Sequence, residues 1–115
     1  LKITVEIFKA LAEPNRVRVV AALASRPACV CELAQALSLN QPNLSRHLRV
    51  LEAAGLVKSR RAGRWTDYML NRNRDTAPFI QLVKSLASAE EALQRDRKAL
   101  ARADRLRIHR FKRRG

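Results

Sequence analysis

Two helical stretches flank the short turn Ser38-Leu39-Asn40, and that arrangement constrains the fold of this chain more than any other feature. Val30, Leu33, Ala34 and Leu37 recur at i, i+3, i+4 and i+7, the apolar face of a helix. Beyond the turn, Asn40 caps a new helix opening at Gln41-Pro42. Leu44, Leu48 and Leu51 form its inner face, and it ends near Gly55. Two helices joined so tightly make a helix-turn-helix. Upstream, Ile3, Ile7, Phe8 and Leu11 mark a first helix that stops before Pro14. Pro14 suits the first turn of a second helix, where a missing N–H is harmless, and Val17, Val20, Ala21 and Leu23 line that helix up to Ser25-Arg26-Pro27.

Helical spacing fails after Gly55. Leu56 to Arg61 and Arg64 to Leu70 are rich in β-formers and flank Ala62-Gly63, which predicts a β-hairpin. The fold class is therefore mainly α with a small hairpin, a winged helix-turn-helix domain over residues 1–76. Asn71 to Thr76 is a polar connector. Phe79, Leu82, Leu86, Ala89, Leu93, Asp96, Leu100 and Ala103 then continue a 3-4 spacing that predicts one long C-terminal helix over 77–110, followed by a basic tail over 111–115. From Ala77 to Arg107 such a helix is roughly 45 Å long. Leu93 and Leu100 would lie too far out for their own domain to cover, so the seam predicts a homodimer through Phe79, Leu82, Leu86 and Leu93. Asp96 is a blemish in it.

The formal charge is +14, from 24 Lys and Arg against 10 Asp and Glu, which points to a polyanionic partner. The longest apolar run, Val19 to Ala24, is far too short to span a membrane, and no signal-peptide pattern opens the chain. Three glycines exclude a glycine-rich phosphate loop, and two histidines support neither a paired-His zinc site nor a Ser-His-Asp constellation, so an enzyme is not expected. With its leucines inward, the fourth helix presents Asn43, Arg46 and Arg49, with Asn40, Gln41, Ser45 and His47 at its edges. Asn, Gln and Arg make bidentate contacts to base edges, and Ser and His more often reach phosphate. Arg60, Arg61 and Arg64 at the hairpin suit a wing gripping the adjacent backbone of double-stranded DNA. Ten basic residues against two acidic ones from Arg95 onward read first as a solvated end and second as extra phosphate affinity. The rival reading is a nucleoid-type packaging module with little sequence preference.

Phe8-Lys9-Ala10-Leu11-Ala12-Glu13-Pro14-Asn15-Arg16, the stretch CVCELAQALSLNQPNLSRHLRVLEAAGLVKSRRAGRW from Cys29 to Trp65, and Tyr68-Met69-Leu70 together resemble the ArsR/SmtB winged-helix repressors. The resemblance implies a homodimer built on the first and last helices. It further implies binding to an inverted-repeat operator and release when an inducer binds. Family members with a Cys-Val-Cys box here sense arsenite or antimonite, often with a third cysteine at the position that is Ala34 in this chain. The resemblance thus implies trivalent arsenic or antimony at Cys29 and Cys31, with a third ligand from solvent, a small thiol or a segment upstream of Leu1. Thiol oxidation, persulfide or a divalent soft metal (cadmium, lead or zinc) are the alternatives.

Cys29 and Cys31 are the only cysteines, which fits no disulfide framework and points to a reducing cytoplasm. On a regular helix they flank Val30 by about 100° on either side and point apart, so one ion can join them only by distorting the helix. A disulfide across one residue is strained, and a helix N-terminus is expected to favour the thiolate.

Overall fold

The computed structural model describes the backbone of residues 1–114 and the side chains of residues 1–109. The elements are α1 (Lys2–Leu11), α2 (Pro14–Leu23), β1 (Ala28–Cys29), α3 (Val30–Leu37), α4 (Gln41–Ala53), β2 (Val57–Ala62), β3 (Trp65–Leu70), α5 (Ala77–Ala89), α6 (Glu91–Arg102) and α7 (Arg105–Arg114). The winged helix-turn-helix expected from the sequence is present. Pro14 stands in the first turn of α2, whose Glu13 cap accepts the Arg16 N–H at 2.9 Å. Asn40 caps α4 by accepting the Asn43 N–H at 2.9 Å. Between them Ser38 takes a left-handed conformation (φ 55°), which ends α3 and lets Leu39 N–H return to the Ala34 carbonyl at 3.0 Å.

The wing closes through a two-residue turn, Gly63-Arg64, flanked by the pair Ala62 and Trp65. Gly63 sits at φ 62° while Arg64 does not adopt positive φ, the pattern of a type II′ turn. The sheet has a third strand that the sequence reading missed. β1 pairs antiparallel with β3, Ala28 opposite Tyr68 and Cys29 opposite Asp67, giving the order β1-β3-β2.

The single long helix over 77–110 is not observed. The chain turns at Glu90 (φ −97°, ψ 119°) and again at Ala103 (ψ 137°), giving three helices in place of one. Gln94 Nε2 bridges the first corner to the Ser88 carbonyl at 2.7 Å. The turn sends α6 back across α2 and α3, so Leu93 and Leu100 are buried in their own domain and Leu93 is not a dimer contact. Asp96 explains the return. Its carboxylate accepts Arg18 Nε at 2.8 Å and Nη2 at 3.0 Å, and the same Nη2 donates to the Leu37 carbonyl at 2.6 Å. The apparent flaw in the seam is the polar clasp that holds α6 to α2 and α3, and the bond to Asp96 raises the Arg18 pKa despite burial. Arg26 makes a second clasp, its Nη2 donating to the Leu100 and Ala103 carbonyls at 2.8 and 3.1 Å.

Phe79 is buried and meets Phe8 edge-on with centroids 4.9 Å apart. What α1 and α5 leave uncovered is an apolar face of Ile3, Val5, Phe8, Leu82 and Leu86, with Phe8 58% and Leu82 52% exposed. The expected tail over 111–115 continues α7 as far as Arg114; its side chains and Gly115 lie outside the described residues.

Candidate thiol site and nucleic-acid interface

The expectation that Cys29 and Cys31 point apart is overturned. It assumed a helix running through both, whereas Cys29 is the extended N-cap (φ −88°, ψ 170°) and the helix begins at Val30. Stepping out of the helix swings the first sulfur over the second: Cys29 Sγ and Cys31 Sγ are 3.1 Å apart, both as free thiols. Nothing has to bend for them to meet. The expectation of a ready thiolate fails as well at Cys29. Burial, then the contact with Cys31, pushes its thiol up to about 12.

Glu32 lies one turn into α3 and is buried. Its Oε1 accepts the Cys29 N–H at 3.1 Å and its Oε2 accepts Arg26 Nη2 at 3.1 Å. Burial works to raise the Glu32 pKa, but these two partners outweigh it and lower it. The charge that Glu32 keeps helps to hold the neighbouring Cys29 thiol protonated. Among the described residues no group of three or more His, Cys, Asp or Glu side chains converges to hold a metal ion. The pair is thus two soft donors with no third from this part of the chain.

The site occupies a mechanical junction. Cys29 belongs to β1, opposite Asp67 of the wing, and also caps α3, which packs on α4 through the helix-turn-helix. Cys29 thus touches the wing strand β3 and the α3–α4 helix pair at once.

On α4, Leu44, Leu48 and Leu51 are buried and Arg46 and Arg49 are exposed. Asn43 lies one turn before Arg46 and its carboxamide oxygen accepts from the guanidinium. Gln41 and Ser45 are half-buried, and the Asn40 side chain is engaged as the cap. His47 departs from the expected reading face. It is turned into the α1–α2 junction, its Nδ1 3.3 Å from Arg16 Nη1 and 3.8 Å from Glu13 Oε2, while Arg16 Nε donates to the Ala10 carbonyl at 2.6 Å. This is a packing lock between α1, α2 and α4. The residues around Glu13-Pro14-Asn15-Arg16 serve it. On the wing, Arg60, Arg61 and Arg64 are all exposed; Arg61 Nε donates to the Gly63 carbonyl at 2.9 Å and Arg64 lies 5.0 Å from the Trp65 ring centroid.

A profile described as "Bacterial regulatory protein, arsR family" matches residues 5–59, a span holding the α1–α2 lock, the thiol pair and α4. The chain belongs to the arsR family. A "Transcriptional repressor SmtB homolog" from Synechocystis sp. is 46% identical over 66% of this chain and 62% of its own length. "Arsenic resistance transcriptional regulator ArsR1" from Pseudomonas putida is 46% identical over 56% of this chain and 52% of its own. This arsR-family chain thus aligns with less than two thirds of either relative. Among solved structures, the homodimeric winged helix-turn-helix DNA-binding domain of Mb0332 from Mycobacterium bovis superposes with a TM-score of 0.67 at 30% identity, covering 76% of this chain and 80% of that one. As in that domain, the arsR-family architecture here is a winged helix-turn-helix, and no described helix is long and apolar enough to cross a membrane.

Proposed function

We propose that this chain is a homodimeric transcriptional repressor that binds an inverted-repeat operator and releases it when trivalent arsenic or antimony joins Cys29 and Cys31. The observation that carries the inducer is the 3.1 Å separation of the two sulfurs. With thiolate–metal bonds of ~2.3 Å, sulfurs at a tetrahedral centre are about 3.8 Å apart and at a pyramidal centre with angles near 90° about 3.3 Å. At 3.1 Å the pair lies nearer the pyramidal spacing, the geometry of a trivalent ion with a lone pair.

Proton balance favours the same class. Arsenite reacts with two thiols as As(OH)3 + 2 RSH → (RS)2As–OH + 2 H2O, in which its own hydroxides carry the thiol protons away as water. A divalent cation has to expel both protons into solution. With the Cys29 thiol held near 12, that expulsion is heavily penalised at neutral pH. The arsenite concentration for half-release of DNA is therefore expected to stay within about threefold between mildly acidic and mildly basic buffer. The cadmium concentration should fall by about tenfold per pH unit for each proton displaced. Release titrations at several pH values decide it: an arsenite midpoint that tracks pH as steeply as cadmium's contradicts the assignment. The third ligand is then solvent, a small thiol or another part of the native protein.

Oxidation of the pair is the second reading, favoured by the same proximity. Burial and the protonated state of Cys29 count against it, because the thiolate is the reactive species. Including peroxide in the titration separates the two.

DNA reading falls to α4 and the wing. Asn43 and Arg46 reach base edges, with Gln41 and Arg49 beside them, and Arg60, Arg61 and Arg64 hold phosphate. Arg46→Ala should cost about 1–3 kcal/mol on operator and flatten discrimination between sequences, while Arg61→Ala should weaken operator and random duplex equally. Competition gel shifts read both, and equal losses for Arg46→Ala on the two duplexes would remove it as a base reader. The dimer forms through the exposed apolar face of α1 and α5, in the reducing cytoplasm where a dithiol persists.

A further inference from the structure

Beyond the core the chain folds back beside its own thiol pair. Helices α6 and α7 meet at a corner where Ala103 takes extended backbone (φ −71°, ψ 137°), and both pack against α3, the helix that opens at the thiols. The corner does not close tightly on its surroundings. A cleft of about 330 Å3 lies there, lined by Asp104, Arg105 and Leu106 from the corner and by Pro27, Glu32 and Asp67 from the body of the domain. Two arginines span it. Arg26 reaches from the body: its Nη2 donates to Glu32 Oε2 at 3.1 Å and to the Leu100 and Ala103 carbonyls at 2.8 and 3.1 Å. Arg105 reaches from the corner: its Nη1 donates to Asp67 Oδ1 at 2.6 Å, and the guanidinium lies 5.2 Å from the Trp65 ring centroid.

The two carboxylates held in this way both stand next to Cys29. Glu32 accepts the Cys29 N–H at 3.1 Å, and Asp67 is the residue opposite Cys29 in the sheet. Cys29 is 3% exposed, whereas Cys31 is half-buried. Arg26 grips the end of α6 by its backbone carbonyls, so α6 is held up to Ala103. Arg105 lies past that break, and its tie is a charge-assisted bond at the rim of an open cleft. Loss of such a bond frees a terminal segment without unfolding the core.

We infer that the α6–α7 corner is a latch over the thiol pair: Arg105 and Asp67 hold it shut, Ala103 is its hinge, and Cys29 is reached when it opens. The two thiols are then unequal, with Cys31 the first to take a soft electrophile and Cys29 the second. For trivalent arsenic the order is As(OH)3 + RSH → RS–As(OH)2 + H2O at Cys31, then ring closure onto Cys29 with loss of a second water. That order rests on the arsenic reading proposed above. The latch does not, and it is tested without arsenic.

The probe is dithiobis(nitrobenzoate), which a thiol attacks as RSH + ArS–SAr → RS–SAr + ArSH. In a Cys31→Ser background, where Cys29 is the sole thiol, Arg105→Gln is expected to speed labelling of Cys29 by about tenfold. Electrostatics alone predicts the opposite sign. The Arg105 cation interacts with Cys29 and favours its reactive thiolate, so removing that charge slows the reaction. Arg105→Lys, which can still pair with Asp67, should return the rate to within about threefold of the background. In a Cys29→Ser background Arg105→Gln should change labelling of Cys31 by less than about twofold. Unchanged or slower labelling of Cys29 in Arg105→Gln overturns the latch. So does a faster rate that Arg105→Lys fails to reverse, an equal rise at Cys31, or a rise matched by a fall in the thermal midpoint, which is global unfolding. Labelling that follows the expected pattern while arsenite fails to release DNA leaves the latch standing and removes the arsenic reading.

Discussion

Replacing either Cys29 or Cys31 by serine is expected to leave operator binding within about threefold and to raise the arsenite needed for release by about a hundredfold or more, ~2.7 kcal/mol of lost inducer binding. The two substitutions are expected to spare the fold for different reasons. Cys29 occupies the N-cap of α3, where a serine hydroxyl is a better acceptor for the orphan N–H groups than a thiol. Cys31 is only partly buried, in the first turn of α3, and the polar contact of its thiol is with Cys29 Sγ. What each substitution removes is one of two soft donors at a site that offers no third among the described residues. One remaining thiol cannot form the two-sulfur ring. A control separates loss of chemistry from loss of structure: both variants should melt within a few degrees of the unmodified chain and retain its operator footprint. Release of both variants at the original arsenite concentration would show that the inducer binds elsewhere.

The parts of this molecule legible in the sequence are those whose cause is local. Val30, Leu33, Ala34 and Leu37, the Asn40 cap, the leucines of α4 and the glycine at the hairpin tip each act within a few residues, and each stands where its spacing puts it. The misreadings have distant causes. β1 is two residues long and exists only because β3, some forty residues later, pairs with it, so no local signal separates Cys29 from the helix that follows. That one residue of helix boundary reverses the geometry of the thiol pair. From the sequence His47 reads as an edge residue of the DNA-facing side, suited to phosphate, because it is polar and on α4. Its position beside Leu48 and one turn after Leu44 puts it on the core side, where Arg16 and Glu13 wait. The corner at Glu90 contains neither Gly nor Pro, and its reason lies in Arg18, 78 residues before Asp96. A charged residue in an apolar seam was the available clue. It marked a buried partner within the chain, not a weak spot in an interface between chains.

That correction leads to the second large effect. Leu100→Ala is expected to destabilise the protomer by about 3 kcal/mol, within the 2–5 kcal/mol range for emptying a fully buried leucine site, because Leu100 is 0% exposed between α6 and the body of the domain. For a chain of this size the midpoint of thermal unfolding should fall by roughly 10–15 °C. The carbonyl of the same residue is held by Arg26, so the backbone of α6 is clasped on both sides of the cavity and cannot collapse to fill it. A seam between subunits predicts otherwise: the truncation would chiefly weaken dimerisation and leave each protomer intact. Leu86→Asp supplies the contrast. Leu86 is 41% exposed on α5 within the uncovered apolar face, and a carboxylate there should dissociate the dimer while each protomer keeps its circular dichroism spectrum, because an unpaired charge resists burial in an apolar interface. Sedimentation equilibrium and thermal melts on the two variants place each leucine. Leu100→Ala losing dimer affinity without loss of protomer stability would restore the long-helix seam, and Leu86→Asp remaining dimeric would move the interface off α5. The expected pattern is the reverse on both counts, with α6 sealing the core of each protomer and α5, beside α1, carrying the contact between them.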